Sequence, residues 1–198
     1  MEFRDLKRQY QIHKKEIDHA VQAVMEGAHF ISGPQVGQLE KELAAYVGAG
    51  HCIACANGTD ALQLALMAWE IGAGDVVFVP DFTFFSSGEV VPLVGAVPVF
   101  VDIDKDTFNI SADSLQNAVE YVLRHTDLKP RAVVAVDLFG QPADYEAVRR
   151  VADAYGLLVL EDAAQGFGGM TGERKACSFG DISITSFFPA KPLGCYGD

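Results

Sequence analysis

"LLVLEDAAQ", Leu157 to Gln165, runs through four apolar residues without a polar interruption and ends on Glu161 and Asp162. A strand with one wet face alternates apolar and polar residues. A run without alternation is covered on both faces, as in a parallel sheet between helix layers. The same pattern recurs in "DVVFVP" (75–80), "VPVFVDI" (97–103), "RAVVAVDLFG" (131–140) and "ISITSFF" (182–188), and "HCIACA" (51–56) reads as another strand. Helical stretches separate them: "GTDALQLALMAWE" (58–70), one near 84–94, one at 111–123, and one opened by Pro142 and running to Tyr155. Two further helices precede them. Residues 8–26 place Ile17, Val21, Val24 and Met25 on one face, and "GPQVGQLEKELAAYVG" (33–48) places Val36, Leu39, Leu43 and Val47 in register. Alternating strands and helices predict a three-layer α/β/α fold with a mostly parallel sheet. Ligands of such sheets bind beyond the carboxyl ends of the strands.

Composition narrows the partners. Fifteen Lys and Arg against 27 Asp and Glu give a net charge of -12 over 198 residues, which disfavours nucleic acid and anionic membranes. The opening "MEFRDLKRQYQIHKKEID" is highly charged and has no apolar stretch of the signal-peptide kind, so a cytoplasmic protein is expected. Four cysteines include a C-x-x-C, Cys52 and Cys55. In a strand, a separation of three sends the two side chains to opposite faces. The expectation is reduced thiols used as small core residues, with no metal site.

Four polar features sit at predicted strand ends. In "ANGTD" (56–60) the backbone N–H groups of Gly58, Thr59 and Asp60, with the Thr59 hydroxyl, open a helix. That is either an anion site or a plain N-cap. In "PDFTFF" (80–85), Phe82, Phe84 and Phe85 either stack on a flat ligand or pack in the core. In "LEDAAQ" (160–165), Glu161, Asp162 and Gln165 follow a buried run, where a carboxylate is costly without a partner. Asp162 holds a protonated ring nitrogen or a magnesium ion, or caps the next segment. In "TSFFPAKPLGCYGD" (185–198), Ser186 ends a strand and Lys191 stands between Pro189 and Pro192. A nucleophilic lysine needs such a fixed, partly desolvated amine; the other reading is a solvated loop lysine. Together these supply a phosphate cradle, a ring sandwich, a carboxylate and an amine, which are the needs of pyridoxal 5'-phosphate.

On "FRDLKRQY", "FISGPQVGQLEKELAAYVGA", "CANGTDALQLAL", "VPDFTFFSS", "EDAAQGFG" and "TSFFPAKPLGCYGD", the whole chain resembles the DegT/StrS family of pyridoxal-phosphate-dependent nucleotide-sugar aminotransferases. The resemblance implies the aspartate-aminotransferase-type (fold type I) large domain. Residues 1–198 would be its amino-terminal part, without the small carboxyl-terminal domain. It implies Lys191 as the Schiff-base lysine, Asp162 as partner of the pyridine nitrogen, and Gln165 beside the phenolic oxygen. Gly58, Thr59 and Ser186 would hold the phosphate. Phe84 would stack on the ring, where relatives often carry Tyr or Trp. Members with His in place of the lysine dehydrate their substrates, so Lys191 points to transamination. The "FRDLK" opening and "SFFPAKPLGCYGD" ending are similar to members that aminate a UDP-linked 3-keto hexuronic sugar. A glutamate donor and a homodimer are implied in the same way. The competing expectation is a truncated, non-catalytic unit that only binds cofactor or folds.

Overall fold

The computed structural model describes residues 4–196, so Phe3 of the opening motif and Gly197 and Asp198 of the last one lie outside the described residues. The chain divides into two compact units, Met1–Ala54 and Cys55–Asp198.

The first unit holds α1 (Leu6–Gly27) and α2 (Pro34–Val47). Asp5 caps α1 by accepting from the Arg8 N–H, and α2 starts on a proline, whose missing N–H costs nothing at a first helical position. Both helices fall where periodicity predicts them. The apolar face of α1 is thinly covered: Ile17 and Val24 are half-buried, while Val21 and Met25 are exposed. In α2, Leu43 is the buried member of its face.

The second unit is built around a five-stranded sheet of order β2-β1-β3-β4-β7, every neighbouring pair parallel. Its strands are β1 (Asp75–Pro80), β2 (Val97–Val101), β3 (Lys129–Val136), β4 (Leu158–Asp162) and β7 (Ile182–Ile184). Its helices are α3 (Gly58–Ala68), α4 (Phe85–Leu93), α5 (Ala112–His125) and α6 (Tyr145–Tyr155). Strand alternation splits the core in two. Val77, Val79, Val134 and Leu160 pack with Leu62 and Leu66 of α3 and Val90 and Val91 of α4. Val76, Phe78, Val133 and Val159 pack on the other face with Leu115 and Val119 of α5 and Val148 and Val151 of α6. This is the three-layer arrangement that uninterrupted apolar strands require. All six residues of β1 are buried.

Three local expectations are corrected. Residues 51–55 form no strand: they join no ladder among the described residues, and Ile53 is 84% exposed. Strand propensity without a hydrogen-bonding neighbour does not make a strand. Cys55 and Cys195 are accordingly exposed and Cys52 and Cys177 half-buried, so none is a core residue. Helix α6 begins at Tyr145 rather than Pro142, because Asp144 caps it by accepting from the Ala147 N–H at 3.0 Å. A small antiparallel hairpin, β5 (Met170–Thr171) with β6 (Arg174–Lys175), was not anticipated. Among the described residues no helix is long and apolar enough to cross a membrane.

Candidate active site

The predicted residues converge at the carboxyl edge of the second unit's sheet. Asp162 ends β4, Phe84 follows β1, Ser186 follows β7, and Gly58 and Thr59 open α3. Asn57 caps α3 by accepting from the Asp60 N–H at 2.9 Å. The expected trio of open donors is therefore reduced to Gly58 and Thr59, because the Asp60 N–H is already committed. The Thr59 hydroxyl lies 2.8 Å from that of Ser86 on the first turn of α4. A Cβ on Gly58 would stand 3.1 Å from the Ser186 Cβ, so a residue without a side chain lets α3 approach the Ser186 turn. The helix start, with N–H groups and a partial positive charge, thus abuts two hydroxyls.

Lys191 lies on a closed turn. Its N–H bonds to the Phe188 carbonyl at 2.8 Å, and the Cys195 N–H returns to the Phe187 carbonyl at 2.8 Å. Gly194 closes it: a Cβ there would collide with the Pro189 carbonyl oxygen. The half-buried amine points back over the sheet. Nζ donates to Gln165 Oε1 at 3.4 Å and stands 5.9 Å from the centroid of the Phe84 ring. Phe84 is 70% exposed and Phe85 75%, so neither is a core residue. Phe82 turns elsewhere, into a cluster with Phe108 and Phe139 at centroid distances of 5.6 and 6.4 Å.

Glu161 and Asp162 are both buried but on opposite faces of β4, as strand geometry requires. Glu161 is structural. It accepts from the N–H groups of Cys177, Phe179 and Gly180 and from the Ser183 hydroxyl, which ties down the segment before β7. Asp162 faces α3 and α4. Its Oδ1 accepts from the Ala164 N–H at 3.1 Å and its Oδ2 from the Ser87 hydroxyl at 2.8 Å. Burial pushes the Asp162 carboxyl above its ordinary range, while Ser87, Ala164 and the Lys191 charge pull it back. Among the described residues no three His, Cys, Asp or Glu side chains are grouped to hold a metal ion.

Sequence reasoning passed over Ser86, Ser87 and a further buried carboxyl, Asp137. Ser87 had a signal: it shares a face with Val90 and Val91 at helical spacing, and a serine there needs a partner. Asp137 follows β3 on the face opposite Asp162. It accepts from the Tyr145 hydroxyl at 2.7 Å and the Ala143 N–H at 3.1 Å, both on Oδ1.

The DegT/DnrJ/EryC1/StrS aminotransferase family matches residues 11–198. The chain is 46% identical over 198 residues to UDP-2-acetamido-2-deoxy-3-oxo-D-glucuronate aminotransferase of Pseudomonas aeruginosa, covering all of this chain and 53% of that protein. A crystal structure of a DegT/DnrJ/EryC1/StrS aminotransferase from Brucella abortus superposes with a TM-score of 0.98 at 46% identity, covering all of this chain and 53% of the other. NtdA from Bacillus subtilis, solved with the cofactor PMP bound, superposes with a TM-score of 0.88 at 31% identity over all of this chain and 43% of its own. The chain spans about half the length of the relatives it matches.

Proposed function

Because the chain belongs to the DegT/DnrJ/EryC1/StrS aminotransferase family, which is pyridoxal-phosphate dependent, we propose that it is the cofactor-holding part of a nucleotide-sugar aminotransferase. The amino group passes from glutamate to a keto sugar, UDP-linked and at C3, in amino-sugar or surface-polysaccharide biosynthesis. The observation that carries this is the convergence of Lys191 Nζ, Gln165 Oε1, the open Phe84 ring and the buried Asp162 carboxylate at one sheet edge. The name of the Pseudomonas aeruginosa relative supports the UDP-linked 3-keto sugar.

The residues fit the cofactor. A carboxylate as buried as Asp162 favours a cationic partner, and a protonated ring nitrogen is one. The start of α3 and the Ser186 hydroxyl suit a phosphate group. Bound there, pyridoxal phosphate supplies an aldehyde that condenses with amines and a ring that accepts electrons when a bond at the adjacent carbon breaks. Asp162 would keep the ring nitrogen charged. The Gly58 and Thr59 N–H groups with Ser186 would hold the phosphate end. Phe84, exposed beside Lys191, would stack on the ring and exclude water. Lys191 Nζ would take the proton from the donor's Cα as a base and, as the acid, deliver it to the carbon that was the cofactor's aldehyde carbon. Gln165 Oε1 accepts from Nζ and holds the amine on its line of approach.

Borohydride reduction of the loaded protein, followed by peptide mapping, tests the site. A pyridoxyl group on Lys191 is expected; a label spread over other lysines overturns the assignment. The substrate is tested separately. The amine-loaded protein receives 3-keto and 4-keto nucleotide sugars in turn, and return of the aldehyde form is followed by its visible absorbance. Response to simple keto acids alone refutes the sugar class and leaves the cofactor site standing.

A further inference from the structure

Ser87 is fully buried on the first turn of α4, a helix whose neighbouring inward residues are Val90 and Val91. A hydroxyl in such a place is costly unless it is hydrogen-bonded. Ser87 does not bond within its own helix. It reaches 75 residues along the chain and donates to Asp162 Oδ2 at 2.8 Å. The Thr83 hydroxyl lies 3.1 Å from the same Ser87 oxygen. A serine carries one hydroxyl proton. With that proton committed to the carboxylate, Ser87 can only accept from Thr83, so the relay has a direction: Thr83 to Ser87 to Asp162. The other carboxylate oxygen is held independently by the Ala164 N–H. Each oxygen of Asp162 is therefore pinned by one donor, and the two donors come from different elements.

We propose that Ser87, oriented by Thr83, is a positioning residue that fixes the charge and direction of the Asp162 carboxylate for a cationic ring nitrogen. This rests on the reading of Asp162 as the ring-nitrogen partner. Removing the Ser87 hydroxyl strands Oδ2 in an apolar layer, where the carboxyl would rather hold a proton than face a cation. The cost falls on ligands that present a charged ring nitrogen and on no others. A role in packing alone would weaken every ligand equally.

The test measures equilibrium binding of pyridoxal phosphate and of its carbon analogue, in which C–H replaces the ring nitrogen, to the protein and to three variants. The parent binds pyridoxal phosphate more tightly than the analogue. Ser87→Ala is expected to cut that preference by about tenfold, the loss of one hydrogen bond to a charged group, with affinity for the analogue unchanged. Thr83→Val acts in the same direction and more weakly. It carries the test alone if Ser87→Ala does not fold. Equal loss of both ligands, or no loss, overturns the positioning role. Asp162→Asn separates the two ideas: if it leaves the preference intact, or if the parent shows none, the reading of Asp162 itself fails.

Discussion

Replacing Asp137 with Asn should make the protein more stable at neutral and alkaline pH, and the gain should grow with pH. Asp137 is fully buried, its Oδ2 meets no donor, and the Glu161 carboxyl stands beside it. Glu161 already accepts four hydrogen bonds, so Asp137 is the member of the pair that takes a proton. Burial first, and the Glu161 charge second, push the Asp137 carboxyl from an ordinary 3.8 up to about 8. The sign follows from linkage. Between those values the native protein holds a proton that the unfolded chain has released. Stability from this group is complete below 3.8, declines as pH rises, and is gone above about 8. The full slope is about 1.4 kcal/mol per pH unit, hence up to about 3 kcal/mol between pH 5 and 7. Asparagine imitates the protonated acid. Its oxygen still accepts from Tyr145 and Ala143, and its N–H group faces Glu161 without a charge. Urea unfolding at unit steps from pH 5 to 9 gives the two curves, and their difference isolates Asp137. The variant should already exceed the parent by a small margin near pH 5, and the margin should grow up to pH 8. Parallel curves, or a variant less stable than the parent at pH 9, would show that Asp137 is ionised in the native state.

Lys191→Ala should bind no pyridoxal phosphate that borohydride can fix, while the thermal midpoint stays within a few degrees of the parent, since the amine is only half-buried. Retention of a reducible visible band would transfer the role to another lysine. Gly58→Ala places a methyl group 3.1 Å from the Ser186 Cβ. It should weaken cofactor affinity measurably; unchanged affinity would show that the α3 start is not the phosphate end of the site. Phe78→Ala empties a fully buried position in β1 and should cost about 3–5 kcal/mol in urea titration. A loss below 1 kcal/mol would mean that the α5–α6 side of the core is loosely packed.

The sequence alone determined the layers. Uninterrupted apolar runs such as "DVVFVP" and "RAVVAVDLFG" leave a strand no wet face, and the helices between them must then cover both sides. It also brought the candidate site residues to one place, because polar residues that follow such runs stand at the sheet's carboxyl edge; the positions of Asp162 and Ser186 there were legible for that reason. Pairing and partnership were not. "HCIACA" has strand-like residues but no ladder, since a strand exists only where a neighbour supplies hydrogen bonds. Glu161 and Asp162 are adjacent in sequence and equally acidic, yet one anchors the segment before β7 and the other faces α4. Strand alternation separates them, but only the packed neighbours say what each side chain meets. The Ser87 bond to Asp162 spans 75 residues, and the pairing of Asp137, just past β3, with Glu161 of β4 links neighbouring strands. Contacts of that range, and the burial that gives them their energy, come into being only when the chain is folded.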